Sequence, residues 1–263
     1  YSMLTEIDLE HKNVLSLENP IEYYIDGVTQ SQMRPEIGYT FAIVLRTTLR
    51  QDPDVIMVGE IRDGETAKLA IQAALTGHLV LSTIHTNDAV GTIPRLIDMG
   101  VEPYLIPPVL IASIAQRLVR TLYPGTGSPK TLDPSDRINV ETQLKSLPSE
   151  FRFPISDSVF EPEKTAACPS GLRGRMAVFE LLEMSPRIER IVLDHPVEYK
   201  IWEAARAQGM LTMREDAILK AFDKRIPFSE VTALSVLDLG DVEESPRNKI
   251  ATNLPIETNT TVS

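Results

Sequence analysis

The chain has 263 residues, of which 43% are apolar and 24% charged, and it is long enough to bury the core of one large or two modest globular domains. Its 26 basic and 37 acidic residues leave a net charge of −11, which argues against broad nucleic-acid binding. A single cysteine, Cys168, excludes an internal disulfide framework and a multi-cysteine zinc site and suits a reduced, cytoplasmic setting, and no run approaches the roughly 18 apolar residues of a membrane span.

The first residue is Tyr1, and Met3, Leu4, Ile7 and Leu9 recur at near-helical spacing. Residues 1–11 therefore read as the remainder of a helix, and the chain as a fragment whose start lies upstream. Asn13–Leu17 reads as a strand ended by Glu18-Asn19-Pro20, and Ile25–Gln32 as extended chain around Gly27. Thr40–Gln51 carries Phe41, Val44, Leu45 and Leu49 on one helical face, with Thr40 placed as N-cap and Asp52-Pro53 as the break. A short apolar strand at Val55–Val58, a helix over 65–76 closed by Gly77 and a strand over 79–84 follow. Helices are predicted over 88–99 and about 105–119. Residues 123–174 are rich in Pro, Gly, Ser and Asp and read as a loop-rich insertion with one short helix near 136–147. A strand at Met176–Met184 precedes helices near 186–194, 197–208, 213–224 and 228–237, and the polar residues 240–263 read as a disordered tail.

Two apolar strands joined by a helix of about twelve residues make a parallel crossover unit, and ligands bind such sheets at the strand carboxyl ends. Gly59 and Glu60 close the first run. A carboxylate there can hold a Mg²⁺-bound water or orient an attacking water, and Gly59 leaves room beside it. Otherwise Glu60 caps the next turn. Glu18 and Glu22 flank Asn19-Pro20 and form a second acidic site facing Glu60 if their strands are neighbours; otherwise they line a solvated turn. His78 and His85 are seven residues apart, an odd number, so a regular strand points them to opposite faces and they do not share a metal. His85, with Thr83, Thr86 and Asn87, can contact a γ-phosphate, whereas His78 suits a structural hydrogen bond. Arg46, Arg50 and Arg62 can grip phosphate or pair with nearby acids. The phosphate loop G-x-x-x-x-G-K-[ST] does not occur in the 263 residues.

The blocks LENPIEY, GVTQSQ, RQDPDVIMVGEIRD, TGHLVLSTIHT and AQRLVRTLYP, in this order, resemble the secretion ATPases of the type II secretion and type IV pilus assembly family. The resemblance runs from Tyr1 to about Leu237, apart from the 123–167 insertion. It implies a RecA-like P-loop ATPase core of α/β class, truncated at its N-terminal side, followed by a mostly helical C-terminal subdomain. The implied divisions are a partial core over 1–122, an insertion over 123–174 in place of a cysteine zinc element, a helical subdomain over 175–239 and a tail over 240–263. In that family LENPIEY looks like the aspartate box, RQDPDVIMVGEIRD like the Walker B segment and TGHLVLSTIHT like the histidine box. The resemblance then implies that Glu22 polarises water, Glu60 acts through Mg²⁺, and His85, with His78 more weakly, couples the γ-phosphate to the sheet. Glu18, Gly59, Arg62 and Thr83 are the accompanying nucleotide-binding positions.

The chain departs from the family pattern in four ways. The Walker A loop would fall just before Tyr1; the box usually read E-D-P is Glu18-Asn19-Pro20; Tyr123–Thr126 and the lone Cys168 stand where cysteine pairs would be, so no zinc is expected; and the N-terminal domain that supplies arginines is absent. The segments GRMAVFELLEM and GMLTMREDAILKAF resemble the assembly and secretion members more than the retraction motors. The implied whole is a homo-hexameric, ATP- and Mg²⁺-dependent motor. It would associate peripherally with the cytoplasmic face of the inner membrane and act on a platform protein and the pilin or pseudopilin machinery, with no nucleic-acid partner. Residues 1–263 alone, without the phosphate loop, are expected to hydrolyse ATP negligibly. Two other readings are a short non-enzymatic paralogue that docks on full-length motor subunits and a DNA-translocating motor of the conjugation type, which the acidic charge disfavours.

Overall fold

A computed structural model describes residues 1–240, with side chains described to Leu234. The tail expected over 240–263 lies, beyond Gly240, outside the described residues. The chain divides into two compact units: Tyr1–Ser113 with Glu183–Val197, and Ile114–Leu182 with the chain from Glu198 onward.

The first unit is built on a four-stranded parallel sheet. Its strands are β1 (Val14–Glu18), β2 (Val28–Gln32), β3 (Val55–Ile61) and β4 (Leu79–Ile84), in the order β2-β1-β3-β4. β1 is buried along its whole length, as expected of a strand covered on both faces. Ladder partners Val14, Val28 and Val55, with Met57 and Leu81, share one face of the sheet, and Leu4, Ile7 and Leu9 pack against them. The pairing of β3 with β4 runs regularly to Val58–Ser82 and resumes at Ile61–Ile84. β3 thus carries one more residue than its partner across that interval, a β-bulge beside Glu60.

Helices α1 (Phe41–Thr48) and α2 (Gly64–Leu75) pack on the sheet and on each other. Thr40 occupies the N-cap of α1 without a side-chain cap bond. Asp63 caps α2, accepting from Thr66 N at 2.8 Å and from Thr66 Oγ1 at 2.9 Å. Gly77, at φ +99°, turns the chain after α2 in a conformation that favours glycine. Helix α3 (Thr92–Asp98) is shorter than the 88–99 pattern. Residues 1–11, read as helical, hold only a 3-10 turn at Leu4–Glu6. Their apolar spacing serves coil docked on the sheet, with Leu4 buried.

The helix expected over about 105–119 is a correction. Pro103–Leu105 is a 3-10 turn, and Ala112–Leu122 is strand β5, paired with β8 (Leu172–Glu183) in a two-stranded sheet. Pro107 and Pro108 remove backbone donors from the first turns of any helix there, and pairing with β8 overrides the helical apolar spacing of 105–119. Residues 123–174 hold more than loops. β6 (Ser128–Thr131) and β7 (Ser158–Glu161) pair antiparallel, with helix α4 (Pro134–Leu144) between them. Leu132, Val140, Leu144 and Val159 bury into one cluster with Val119, Val178 and Ile218.

Helices α5 (Pro186–Asp194), α6 (Glu198–Ala207), α7 (Met213–Phe222) and α8 (Phe228–Gly240) follow β8. In the second unit, Arg206 of α6 is 2% exposed and grips buried Glu215 of α7 with two bonds of 2.6 Å. The same Glu215 accepts from Thr212 N at 2.8 Å while Thr212 Oγ1 accepts from Glu215 N, closing a capping box on α7.

Candidate functional site

Because the four strands run parallel, their carboxyl ends share one edge of the sheet. The register sets Glu18 beside Gln32, Gly59-Glu60 next along that edge, and His85 one residue past β4. β1 and β3 are neighbours, so the Glu18 and Glu60 segments leave the sheet side by side at the same edge.

Glu60 has a side chain 14% exposed. Its Oε2 accepts from Arg62 Nε at 2.5 Å and lies 3.6 Å from His85 Nε2. The bulge and the strand end bring this acid, guanidinium and imidazole together, with Arg62 and His85 themselves exposed. Thr83 Oγ1 donates to the Gly59 carbonyl oxygen at 2.7 Å, clipping β4 to β3 where the ladder is irregular. A Cβ on Gly59 would lie 3.0 Å from the Leu17 carbonyl oxygen and 3.4 Å from Glu18 Cα. Glycine there answers a close approach of β1.

Glu18 is 2% exposed, and its carboxylate accepts from Ser16 Oγ at 2.6 Å, from Gln30 Nε2 at 2.9 Å and from the Tyr1 hydroxyl. Burial, and then the Glu18 carboxylate beside it, pushes the Tyr1 phenol above its ordinary range, so the hydroxyl keeps its proton. Glu22 is exposed on the loop after β1, and its backbone N–H donates to the Tyr1 hydroxyl at 3.2 Å. His78 is turned away from this edge: its Nδ1 lies 2.8 Å from the Ala73 carbonyl oxygen and 3.0 Å from Thr76 Oγ1, at the end of α2. Arg46 pairs with Glu65 at 2.8 Å, and Arg50 is exposed beyond α1.

Three contributors went unread in the sequence. Tyr1, Ser16 and Gln30 all reach Glu18, and period-two spacing was the available signal for two of them. Ser16 and Glu18 share a face of β1, and Gln30 is the ladder partner of Ser16. Tyr1 had no such signal, because its contact depends on how coil docks against the sheet.

The hard oxygen donors of Glu60, at the carboxyl edge of a parallel sheet, fit a magnesium ion held through water. Among the described residues no group of three or more His, Cys, Asp and Glu side chains is arranged to hold a metal directly. A parallel α/β sheet with an acid and a histidine meeting at its carboxyl edge belongs to the class of folds that bind ligands at that edge.

The comparisons narrow that class. A family model for type II/IV secretion system proteins matches residues 1–233, and the chain belongs to that family. The type II secretion system protein E of Xanthomonas campestris is 41% identical over 238 residues, covering 88% of this chain and 40% of that protein. The type II secretion system ATPase E of Vibrio cholerae is 42% identical over 224 residues, covering 84% and 42%. The type IV pilus assembly ATPase PilB of Thermus thermophilus is 42% identical over 244 residues, covering 90% and 26%. The chain thus spans less than half the length of these relatives.

Among solved structures, the Legionella pneumophila ATPase DotB aligns with TM-score 0.62 at 24% identity, over 89% of this chain and 55% of that one. The pilus retraction motor PilT with bound ADP aligns with TM-score 0.56 at 26% identity, over 84% and 51%. The fold is that of a RecA-like α/β ATPase core, with a mostly helical segment after β8.

Proposed function

We propose that this chain supplies the water-activating and γ-phosphate-sensing side of an ATP-driven motor subunit for type II secretion or type IV pilus assembly. The observation that carries this reading is the meeting of Glu60 and His85, 3.6 Å apart, at the carboxyl edge of the parallel sheet beside the Glu18–Glu22 segment.

Glu22, exposed on its loop, polarises the attacking water. Glu60 would hold Mg²⁺ through water, and the ion would supply neutralisation of charge on the phosphates. Arg62 holds the Glu60 carboxylate at rest. His85 stands where the γ-phosphate can be read, with Thr83 fixing the spacing of β4 against β3. His78 supports the turn into β4 from behind. Relatives named as secretion and pilus ATPases, and a PilT structure with bound ADP, support ATP as the nucleotide. On the family resemblance alone, the reading extends to a homo-hexamer working at the cytoplasmic face of the inner membrane on a platform protein and the pilin or pseudopilin machinery. Among the described residues no helix is long and apolar enough to cross a membrane.

The test is phosphate release by the protein expressed from its complete reading frame. Glu60→Gln and Glu22→Gln are each expected to lower kcat about 10²-fold or more, with nucleotide still bound. Hydrolysis that persists in both variants would overturn the reading. If the complete protein binds full-length motor subunits without hydrolysing ATP, the docking paralogue stands instead.

A further inference from the structure

We infer that Glu18 is a positioning residue whose buried carboxylate, through Tyr1 and Gln30, fixes the loop that carries Glu22. This rests on the reading of Glu22 given above for its consequence in catalysis, but not for its geometry.

An acid that is 2% exposed is costly unless its oxygens are satisfied, and here three donors converge on it. Two of them also hold the loop between β1 and β2. The Tyr1 hydroxyl donates a hydrogen bond to Glu18 and accepts one from the Glu22 N–H at 3.2 Å. The Tyr1 ring lies 4.3 Å from that of Tyr23, inclined by 37°. Gln30 gives one proton set to Glu18 and to the Tyr23 carbonyl oxygen, at 2.9 and 3.1 Å, and its Oε1 accepts the Ile25 N–H at 2.7 Å. Loop positions 22, 23 and 25 are therefore tied to one buried carboxylate by two side chains. Ser16, fully buried one pleat behind, holds Oε1 from the sheet side. The raised phenol keeps Tyr1 a donor throughout the neutral range.

This arrangement separates two acids of one short motif. Glu22 faces water, and Glu18 is engaged inside. Removing the strut leaves Glu22 chemically intact but free to wander, and misplacement by about 1 Å can cost on the order of 10²-fold in rate.

The test uses the complete protein and two variants, Tyr1→Phe and Gln30→Met. Hydrogen–deuterium exchange of residues 20–26 is expected to speed up by about tenfold in each, with exchange in β1 and β3 unchanged. Exchange at the wild-type rate in both overturns the inference, whatever the catalytic outcome. In ATP hydrolysis, each variant is expected to lose about tenfold in kcat with KM within about twofold, and to add nothing further in a Glu22→Gln background. A raised KM at unchanged kcat, or full additivity with Glu22→Gln, would show that these residues touch nucleotide and overturns the positioning role. Loss of the proposed function itself is seen separately, as wild-type protein without hydrolysis, and leaves the exchange measurement to decide. Should Tyr1→Phe fold poorly by its melting temperature, Gln30→Met carries the same comparison.

Discussion

At Gly59 the smallest side chain meets the tightest packing on the site edge, with the Leu17 carbonyl oxygen 3.0 Å from where a Cβ would sit. A backbone oxygen cannot swing aside as a side chain can, so Gly59→Ala is expected to cost about 1–3 kcal/mol in urea unfolding. A neutral result would mean that β1 yields freely there. Asp54 makes a pH-dependent contribution at the opposite end of the same strands. The Asn13 N–H at 2.8 Å, and then Lys12 Nζ at 3.0 Å, hold its carboxyl below the usual range. A depressed folded pKa contributes stability above the unfolded value that is lost as pH falls through the folded one. The stability gap between wild type and Asp54→Asn should therefore be full at neutral pH and narrow from about pH 4 downward. A gap independent of pH would sink this assignment. At this scale the strand-end positions of Glu18, Glu60 and His85 were legible, because each closes an apolar run. The sequence could not separate Glu18 from Glu22, since burial of one acid depends on Tyr1 and Gln30, which lie outside the motif.

Among the elements, α2 and α7 show capping chemistry in its simplest and its most connected form. Asp63 caps α2 alone, and Asp63→Ala is expected to cost about 1 kcal/mol by urea unfolding. Glu215 serves α7 as a capping-box partner and also answers buried Arg206. Arg206→Met leaves that carboxylate buried without its charge partner, an expected loss of about 3–5 kcal/mol. Adding Glu215→Met should recover much of it, and a double variant no better than the single would show that Met at these sites packs badly. Helical spacing made the helices after β8 legible. The same rule misread residues 105–119, where apolar residues recur at helical intervals. A strand with exposed Ile114 and Leu118 beside buried Val119 carries no clean alternation, and its identity comes from the β8 partner some fifty residues later.

For the whole molecule, the first unit is discontinuous in sequence. Helix α5, with Ile188 and Val192 fully buried, packs on the turn at Pro103–Leu105, and Met184 N–H donates to the Ile111 carbonyl oxygen at 2.9 Å. Residues 1–113 alone are thus expected to bind a hydrophobic dye. A version in which a short glycine-rich linker joins Ser113 to Glu183 and ends at Val197 should bind little and unfold in one transition. Equal dye binding by both would remove α5 from the unit. Residues 123–174 look like an appendage because their apolar residues are sparse, yet Leu132, Val140, Leu144 and Val159 each reach the core of the second unit.

The extra residue that β3 carries beside Glu60 changes how the strand must be counted. Val58 and Ile61 are both buried although they lie three positions apart, an odd interval that a regular strand would send to opposite sides. Residues before and after Gly59-Glu60 therefore keep time from different origins. Deleting one residue here would not trim a loop: it would set Ile61 at an even interval from Val58, keep it inward and opposite Ile84, and remove the local bend that aims Glu60.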